Sequence, residues 1–447
     1  MSLVPTDPAA RRVLVAGCAG LLLTVPVIAH DSLNGRLVLG WLAVALGVAL
    51  AARALDRRAT PGRHTAQVAA AVCAALAVSG IALLATTLAS APTGTALRCR
   101  DDVAAATFGA AGQLTAGHDP YASYDALAVQ HADGCPHPSA TVLRRGVFAG
   151  ATAMPGDAQV AAAVQAATAD ASRPEIERGL NYPGGTVLLG LAGPGAFPWL
   201  MAALLLAAIT VTVRRATTDR GAVAAALAAQ LALLALIPDG HTDAAVVALL
   251  LLAWAGPTTW LGGLALGLAC GTKQTAWFLA PALVATAHAR GGRPALLRAT
   301  IATVAGFALL NLPFVAMGPG AYVHGVMGPL VDGLFPLGAG LVGLVTSGFL
   351  PYAAAPLFTV LMLVCVAASA VAALRWDRTH PGIGVLLGGL ALFLGPRSLL
   401  EYIAGAGALL VCVVATAPAR GAQTEEPWPA ASLAGRTAAP SAAGCHG

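Results

Sequence analysis

From Ala244 to Cys270 the chain reads AAVVALLLLAWAGPTTWLGGLALGLAC, without one charged residue, and comparable stretches recur along most of its length. A water-soluble globule can hold such a segment only beneath a larger polar shell. Across 447 residues, 57% are hydrophobic and 10% charged, against roughly 25% charged in a soluble domain. The chain cannot supply that shell. It reads as an all-α polytopic membrane protein, because a helix satisfies its own backbone hydrogen bonds where lipid offers no partner.

A crossing helix needs about 20 apolar residues. Segments near that length fall at 13–29, 37–54, 66–90, 185–213, 221–237, 244–256, 258–270, 275–289, 296–315, 355–374, 381–396 and 398–415. They predict about twelve transmembrane helices. Arg11 and Arg12, Arg53 to Arg63, Arg214 to Arg220, Arg290 to Arg298, and Arg375 with Arg378 fall in alternate connections. The positive-inside rule makes those connections cytoplasmic, together with both termini, and the expected location is the plasma membrane. The net charge of +5 reflects these arginines and gives no reason to invoke nucleic acid. Three regions follow: a two-span hairpin at 1–64, a membrane core at 65–415, and a disordered cytoplasmic tail, rich in Ala, Pro and Gly, at 416–447.

Within the core, the extracytoplasmic loop 91–183 after the third span is too long for a simple connector. Its segments 103–116 and 157–171 are Ala-rich and too polar to cross, which predicts short helices on the outer membrane surface or capping a cavity. Among eight cysteines, Cys18, Cys73, Cys270, Cys365 and Cys412 lie in apolar spans, where cysteine is a small apolar filler, and Cys445 lies in the tail. Cys99 and Cys135 share the outer loop, where an oxidising compartment permits a disulfide. No CxxC or Cys/His array suggests a metal, and nothing suggests a cofactor.

The scarce ionisable residues collect on one side of this topology. Lys273, the only lysine in the chain, follows the seventh span. IPDGHTD brings Asp239, His241 and Asp243, and GPRSLLEY brings Arg397 and Glu401. The long loop adds Asp101 and Asp102 in RCRDD, His118, Asp119 and Tyr121 in GHDPY, and Tyr182 in NYPGG. Ionisable groups near bilayer depth are costly and usually mark a function. Each also has a plain structural reading. Asp239 fits a turn, Asp243 a helix N-cap, and HDPY an Asx–Pro turn. Arg397 and Glu401 are spaced to pair along a helix, and Lys273 can snorkel to outer headgroups.

The order of these elements resembles that of the GT-C membrane glycosyltransferases, specifically those like glycosyltransferase family 87, the polyprenol-phosphate-dependent mannosyltransferases of actinobacteria. An acidic residue (Asp101 or Asp102) opens the first large outer loop, and GHDPY at 117–121 is similar to the family's Gly-x-Asp/Asn-Pro-Tyr. NYPGG at 181–185 resembles a Tyr-Pro-Pro helix entry, with glycine replacing the second proline. PDGHTDAAVVALLLLAW and LGGLALGLACGTKQ resemble a Gly-Gln-x-Asn/Asp helix followed by a glycine-rich helix ending in lysine, with His241 where the family often has glutamine. The match covers roughly 66 to 415.

The resemblance implies a polyprenyl-phosphate-linked sugar donor, with mannose favoured, a glycolipid or glycan acceptor, and a site at the outer face. A carboxylate takes the proton from the acceptor hydroxyl, and cations stabilise the departing lipid phosphate. One displacement inverts the anomeric centre. Asp102 is preferred as base over Asp101 for its spacing from GHDPY, the other aspartate capping the helix that begins near Val103. Lys273 is the expected phosphate-binding charge, with Arg397 and His241 as helpers. His118, Asp119, Tyr121, Tyr182, Asp239, Asp243 and Glu401 are substrate-site candidates. Two other classes share these features: a secondary transporter, and a non-catalytic membrane assembly protein.

Overall fold

The computed structural model describes residues 94–215, 240–338, 340–346 and 355–415. The spans expected at 13–29, 37–54, 66–90 and 221–237, the residue Asp239 and the tail at 416–447 lie outside the described residues.

The chain is mostly helical. Its first described segment holds α1 (Thr95–Arg98), α2 (Asp102–Thr115), α3 (Pro120–Ser123), α4 (Ala126–Ala132) and α5 (Asp157–Ala169). Two-residue strands β1 (Thr141–Val142) and β2 (Ile176–Glu177) pair antiparallel, with Thr141 opposite Glu177 and Val142 opposite Ile176. A disulfide joins Cys99 to Cys135. Leu127, Val142, Phe148, Val164 and Ile176 form a small core with Phe335. Arg145 binds Asp332 at 2.8 Å, and Phe335 donates its N–H to the Val142 carbonyl at 2.9 Å. The segment is therefore fastened to a much later part of the chain.

Of the two placements its composition allowed, α2 takes the one against a cavity, which Asp102 and Ala106 line, and not an exposed surface. Every residue from Val103 to Ala111 is buried. Small side chains explain this: a Cβ added at Gly190 would lie 2.2 Å from the Thr107 carbonyl oxygen, so two backbones meet there. α5 does lie at the surface, burying only Ala163, Val164 and Ala167.

Next come α6 (Gly184–Gly190) and α7 (Gly193–Arg215). The span expected at 185–213 is not one straight helix, because α6 and α7 meet at 113°. Gly193 takes a positive φ of 73° at the break, and Pro194 follows it. Then follow α8 (Asp243–Ala255), α9 (Trp260–Thr272), α10 (Thr275–Met317), α11 (Pro319–Val331), β3 (Leu337–Gly338), α12 (Leu341–Thr346), α13 (Ala355–Trp376), α14 (Ile383–Leu394), β4 (Arg397–Ser398) and α15 (Leu400–Ala415). Two of these, α10 and α13, are long and apolar enough to cross a membrane, and three if the bent α6–α7 pair counts as one span. α8, α9 and α14 are shorter apolar helices of 13, 13 and 12 residues.

Unbroken, the 43 residues of α10 would extend about 65 Å, twice the roughly 30 Å of a bilayer core. Gly292, at φ 66° and ψ −163°, interrupts the helix within the arginine-rich run ARGGRPALLR. Its second part packs on α9 through a seam of glycines spaced every four residues. A Cβ at Gly267 would lie 2.1 Å from the Thr303 carbonyl oxygen, and one at Gly263 would lie 2.7 Å from the Ala302 Cβ. The Thr303 hydroxyl donates to the Gly263 carbonyl at 3.1 Å, and the Asn311 amide to that of Gly271 at 3.3 Å. Close backbone contact and interhelical hydrogen bonds are what associate helices in lipid, where apolar burial gives little.

The ends of α8, the first part of α10 and α13 gather at a second polar cluster. Arg290 binds Asp377 at 2.7 Å and lies 4.2 Å over the Trp254 ring, while Arg378 donates to the Ala289 carbonyl at 2.6 Å. The opposite ends of α8 and α10 carry Asp243 and Thr275, beside the site described next.

Candidate functional site

Lys273 sits at the C-terminal end of α9, and Asp243 is the first residue of α8. The lysine Nζ lies 2.6 Å from Asp243 Oδ2, with the two side chains only 1% and 4% exposed. Two tyrosine rings flank the ammonium, Tyr402 at 5.0 Å and Tyr182 at 5.7 Å, where their π-faces favour a cation. Lys273 is thus turned inward and does not snorkel to the surface. Asp243 is not the N-cap either: Thr242 holds that position, and the Asp243 carboxylate is directed to the lysine. A buried charge is tolerable only when paired in this way.

The chain of charges continues through His241. Its Nδ1 lies 3.6 Å from Asp243, beyond hydrogen-bond length, and its Nε2 lies 2.9 Å from Asp101 Oδ2. Burial opposes a charge on His241. The carboxylates of Asp101 and Asp243, with Glu401 behind them, outweigh that cost and raise its pKa well above the ordinary value. Glu401, almost buried near the start of α15, feels the charges of Lys273, His241 and Asp243. Among the described residues no ion pair joins it to Arg397, so the helical i, i+4 pairing is not formed. Arg397 lies instead on β4, paired with β3, and is half-buried toward Tyr402.

The consecutive aspartates diverge. Asp101 is the N-cap of α2: its Oδ1 accepts the Ala104 N–H at 2.7 Å, and its other oxygen meets His241. Asp102, the first residue of α2, accepts the Thr141 hydroxyl at 2.7 Å through Oδ2. It lines a cavity of about 20 Å3 with Tyr124, Thr141, Glu177, Asn181 and Tyr182. Burial, with the nearby Asp102 carboxylate next, raises the Tyr182 pKa well above the ordinary phenol value, so the ring stays neutral.

The remaining candidates divide. Asp119 caps α3 by accepting the Tyr121 N–H at 3.0 Å, the Asx–Pro turn of the plain reading. His118 is exposed and contacts Gln113 at 3.1 Å. Tyr121 packs edge-on against Phe314 and Tyr322 and donates its hydroxyl to the Tyr182 carbonyl at 2.7 Å. It holds NYPGG in place and does not face the charges. NYPGG is also gripped from below: Gly184 donates to Asn311 at 2.7 Å, and a Cβ there would lie 2.3 Å from the Phe314 ring. Glycine replaces the expected second proline because only glycine fits and because its N–H is used.

Five site residues escaped the sequence reading: Tyr402, Tyr124, Thr141, Glu177 and Asn181. Tyr402 stood in GPRSLLEY and Asn181 in NYPGG, while Tyr124, Thr141 and Glu177 stood in the long loop outside the motifs singled out. No family model matches the chain, and neither a curated protein nor a solved structure matches it, so the roles of these residues rest on their geometry and chemistry.

Proposed function

We propose that the protein is an integral membrane glycosyltransferase of the GT-C kind. It moves a sugar, mannose being favoured, from a polyprenyl phosphate to a hydroxyl of an envelope glycolipid or glycan. On this reading it crosses the plasma membrane about twelve times, with both termini and the Arg290–Asp377 cluster cytoplasmic. Residues 91–183 form an extracytoplasmic lid over the site.

One observation carries the proposal. Asp102 offers a carboxylate with one oxygen fixed by Thr141 and no protein hydrogen bond on the other, inside a cavity whose Tyr182 wall adjoins the Lys273–Asp243–His241–Asp101 row of alternating charges. Asp101 is less suited to act as base because both its oxygens are engaged. In the reaction Asp102 removes the acceptor proton as that oxygen attacks the anomeric carbon, and the bond to the phosphate oxygen breaks with inversion. The lipid phosphate needs positive charge more than a proton. Lys273 is already neutralised by Asp243, so its contribution is to the field behind the site. Arg397, with no carboxylate partner among the described residues, is the cation available for direct contact.

The test is turnover of polyprenyl-phosphate sugars by purified protein in nanodiscs, with glycolipid analysis of a deletion strain beside it. Donor consumption lost in Asp102→Asn supports the reading; no turnover of any lipid-linked sugar, with an unchanged glycolipid profile, sinks it. The transporter reading draws on the 113° break between α6 and α7, since discontinuous helices line transporter sites. Solute uptake by proteoliposomes would favour it over transfer. The assembly-protein reading predicts neither activity.

A further inference from the structure

Tyr124 is 6% exposed, and its hydroxyl, buried at the wall of the Asp102 cavity, has no hydrogen-bond partner in the protein. An unmade hydrogen bond on a buried hydroxyl is destabilising, and a phenylalanine here would avoid it. The ring itself is held by packing, since a Cβ at Gly109 would lie 2.8 Å from its edge. Packing thus accounts for the ring and not for the oxygen.

The walls state what the cavity accepts. Asp102 and Glu177 are its ionisable carboxylic acids, and no lysine or arginine lines it. A phosphate or carboxylate is repelled there. Its volume of about 20 Å3 exceeds the roughly 10–15 Å3 that a single water-sized group requires, and it is far too small for a sugar ring. Burial, with the charges of Asp102 and Asp125 next, raises the Tyr124 pKa well above the ordinary phenol value, which keeps the hydroxyl a donor.

We propose that this cavity is the acceptor subsite, receiving one hydroxyl of a neutral polyhydroxylated acceptor, and that Tyr124 is the residue that reads it. This rests on the glycosyltransferase reading and adds the acceptor's chemistry to it. Tyr124 donates its O–H to the incoming oxygen while Asp102 accepts that oxygen's proton, leaving a lone pair directed at the sugar. The new bond joins the acceptor oxygen to the anomeric carbon. The broken bond leaves its electron pair on the lipid phosphate, and the proton ends on Asp102. Anionic acceptors are excluded by the same two carboxylic acids.

The experiment measures binding first, so that it does not depend on turnover. Full-length protein in nanodiscs is titrated with methyl α-mannopyranoside and glycerol by saturation-transfer NMR, and with glycerol 3-phosphate as the anionic counterpart. Wild type binds the neutral compounds and not the phosphate. Tyr124→Phe, which retains the packed ring, weakens neutral binding about tenfold at an unchanged melting temperature. Gly109→Ala, which presses on the ring edge, weakens it in the same direction and serves if the first variant folds poorly. Absent binding by wild type, equal binding by the variants, or equal binding of glycerol 3-phosphate overturns the proposal. With a lipid-linked donor, Tyr124→Phe raises the acceptor KM. Tyr124-dependent binding without any sugar transfer would remove the enzymatic reading and leave the hydroxyl subsite standing.

Discussion

Lys273 and Asp243 lie 30 residues apart in sequence and 2.6 Å apart in space, and each is the other's means of being charged while buried. Removing one partner of such a pair costs about 3–5 kcal/mol, because the survivor stays buried and unpaired. Lys273→Met and Asp243→Asn are each expected to melt far below wild type in detergent. The double variant should recover much of the loss. Additive losses would show that the two charges do not depend on each other.

His241 ties the pH dependence of stability to Asp101 and Asp243. Its folded-state pKa is raised, so its contribution is complete below the ordinary histidine value of about 6.5 and declines as pH rises toward the raised value. The melting-temperature difference between wild type and His241→Gln is therefore largest near pH 6 and shrinks by pH 8. A difference that stays constant over that interval contradicts a protonated imidazole.

Asp101 and Asp102 are adjacent and separable. Asp101→Asn loses a cap and the His241 contact, a stability cost of roughly 0.5–2 kcal/mol for the cap alone, with turnover retained in the folded fraction. Asp102→Asn loses about 10²–10⁴ in rate with folding near normal. Reversed phenotypes would transfer the base to Asp101.

The Cys99–Cys135 bridge closes a loop across 36 positions that holds both aspartates and GHDPY. Chain-entropy reasoning gives it about 3–4 kcal/mol. Protein purified without reductant should gain 2 Da on reduction, and Cys99→Ser with Cys135→Ser should melt earlier. Two free thiols in the native protein would refute the pairing.

The proposed topology separates Ala158 and His380, both exposed. Single cysteines placed there in a background without reactive thiols should label from outside and from the cytoplasm, respectively, with an impermeant reagent. Labelling of both from one side would move the site away from the outer face.

Helix identity was the most legible property. The apolar runs at 244–256 and 258–270 became α8 and α9 almost to the residue, and the arginine run at 290–298 contains the break at Gly292. Direction of side chains was not legible. Lys273 at a helix end reads equally as a surface anchor or a buried ion, and only the arrival of Asp243 decides it. The placement of α2 was open for a related reason: alanine, glycine and threonine carry little polarity information, and the same string suits a wet surface or backbone-close packing. Across 185–213 the apolar pattern continues through Gly193 without marking the turn, although GLAGPGAFP shows glycine and proline plainly.

The glycine seam between α9 and the second part of α10 has a mechanical consequence. Backbones in contact at Gly267 and Thr303 have no intervening side chain that can change rotamer to let one helix slide past the other. The two helices therefore move as one post, and Lys273 at the end of α9 keeps a fixed height along it. On the proposed function, room for a lipid-linked substrate would come from displacement of the segments above or beside that post, chiefly residues 94–183 and the elbow at Gly193, with the post as the datum against which they swing.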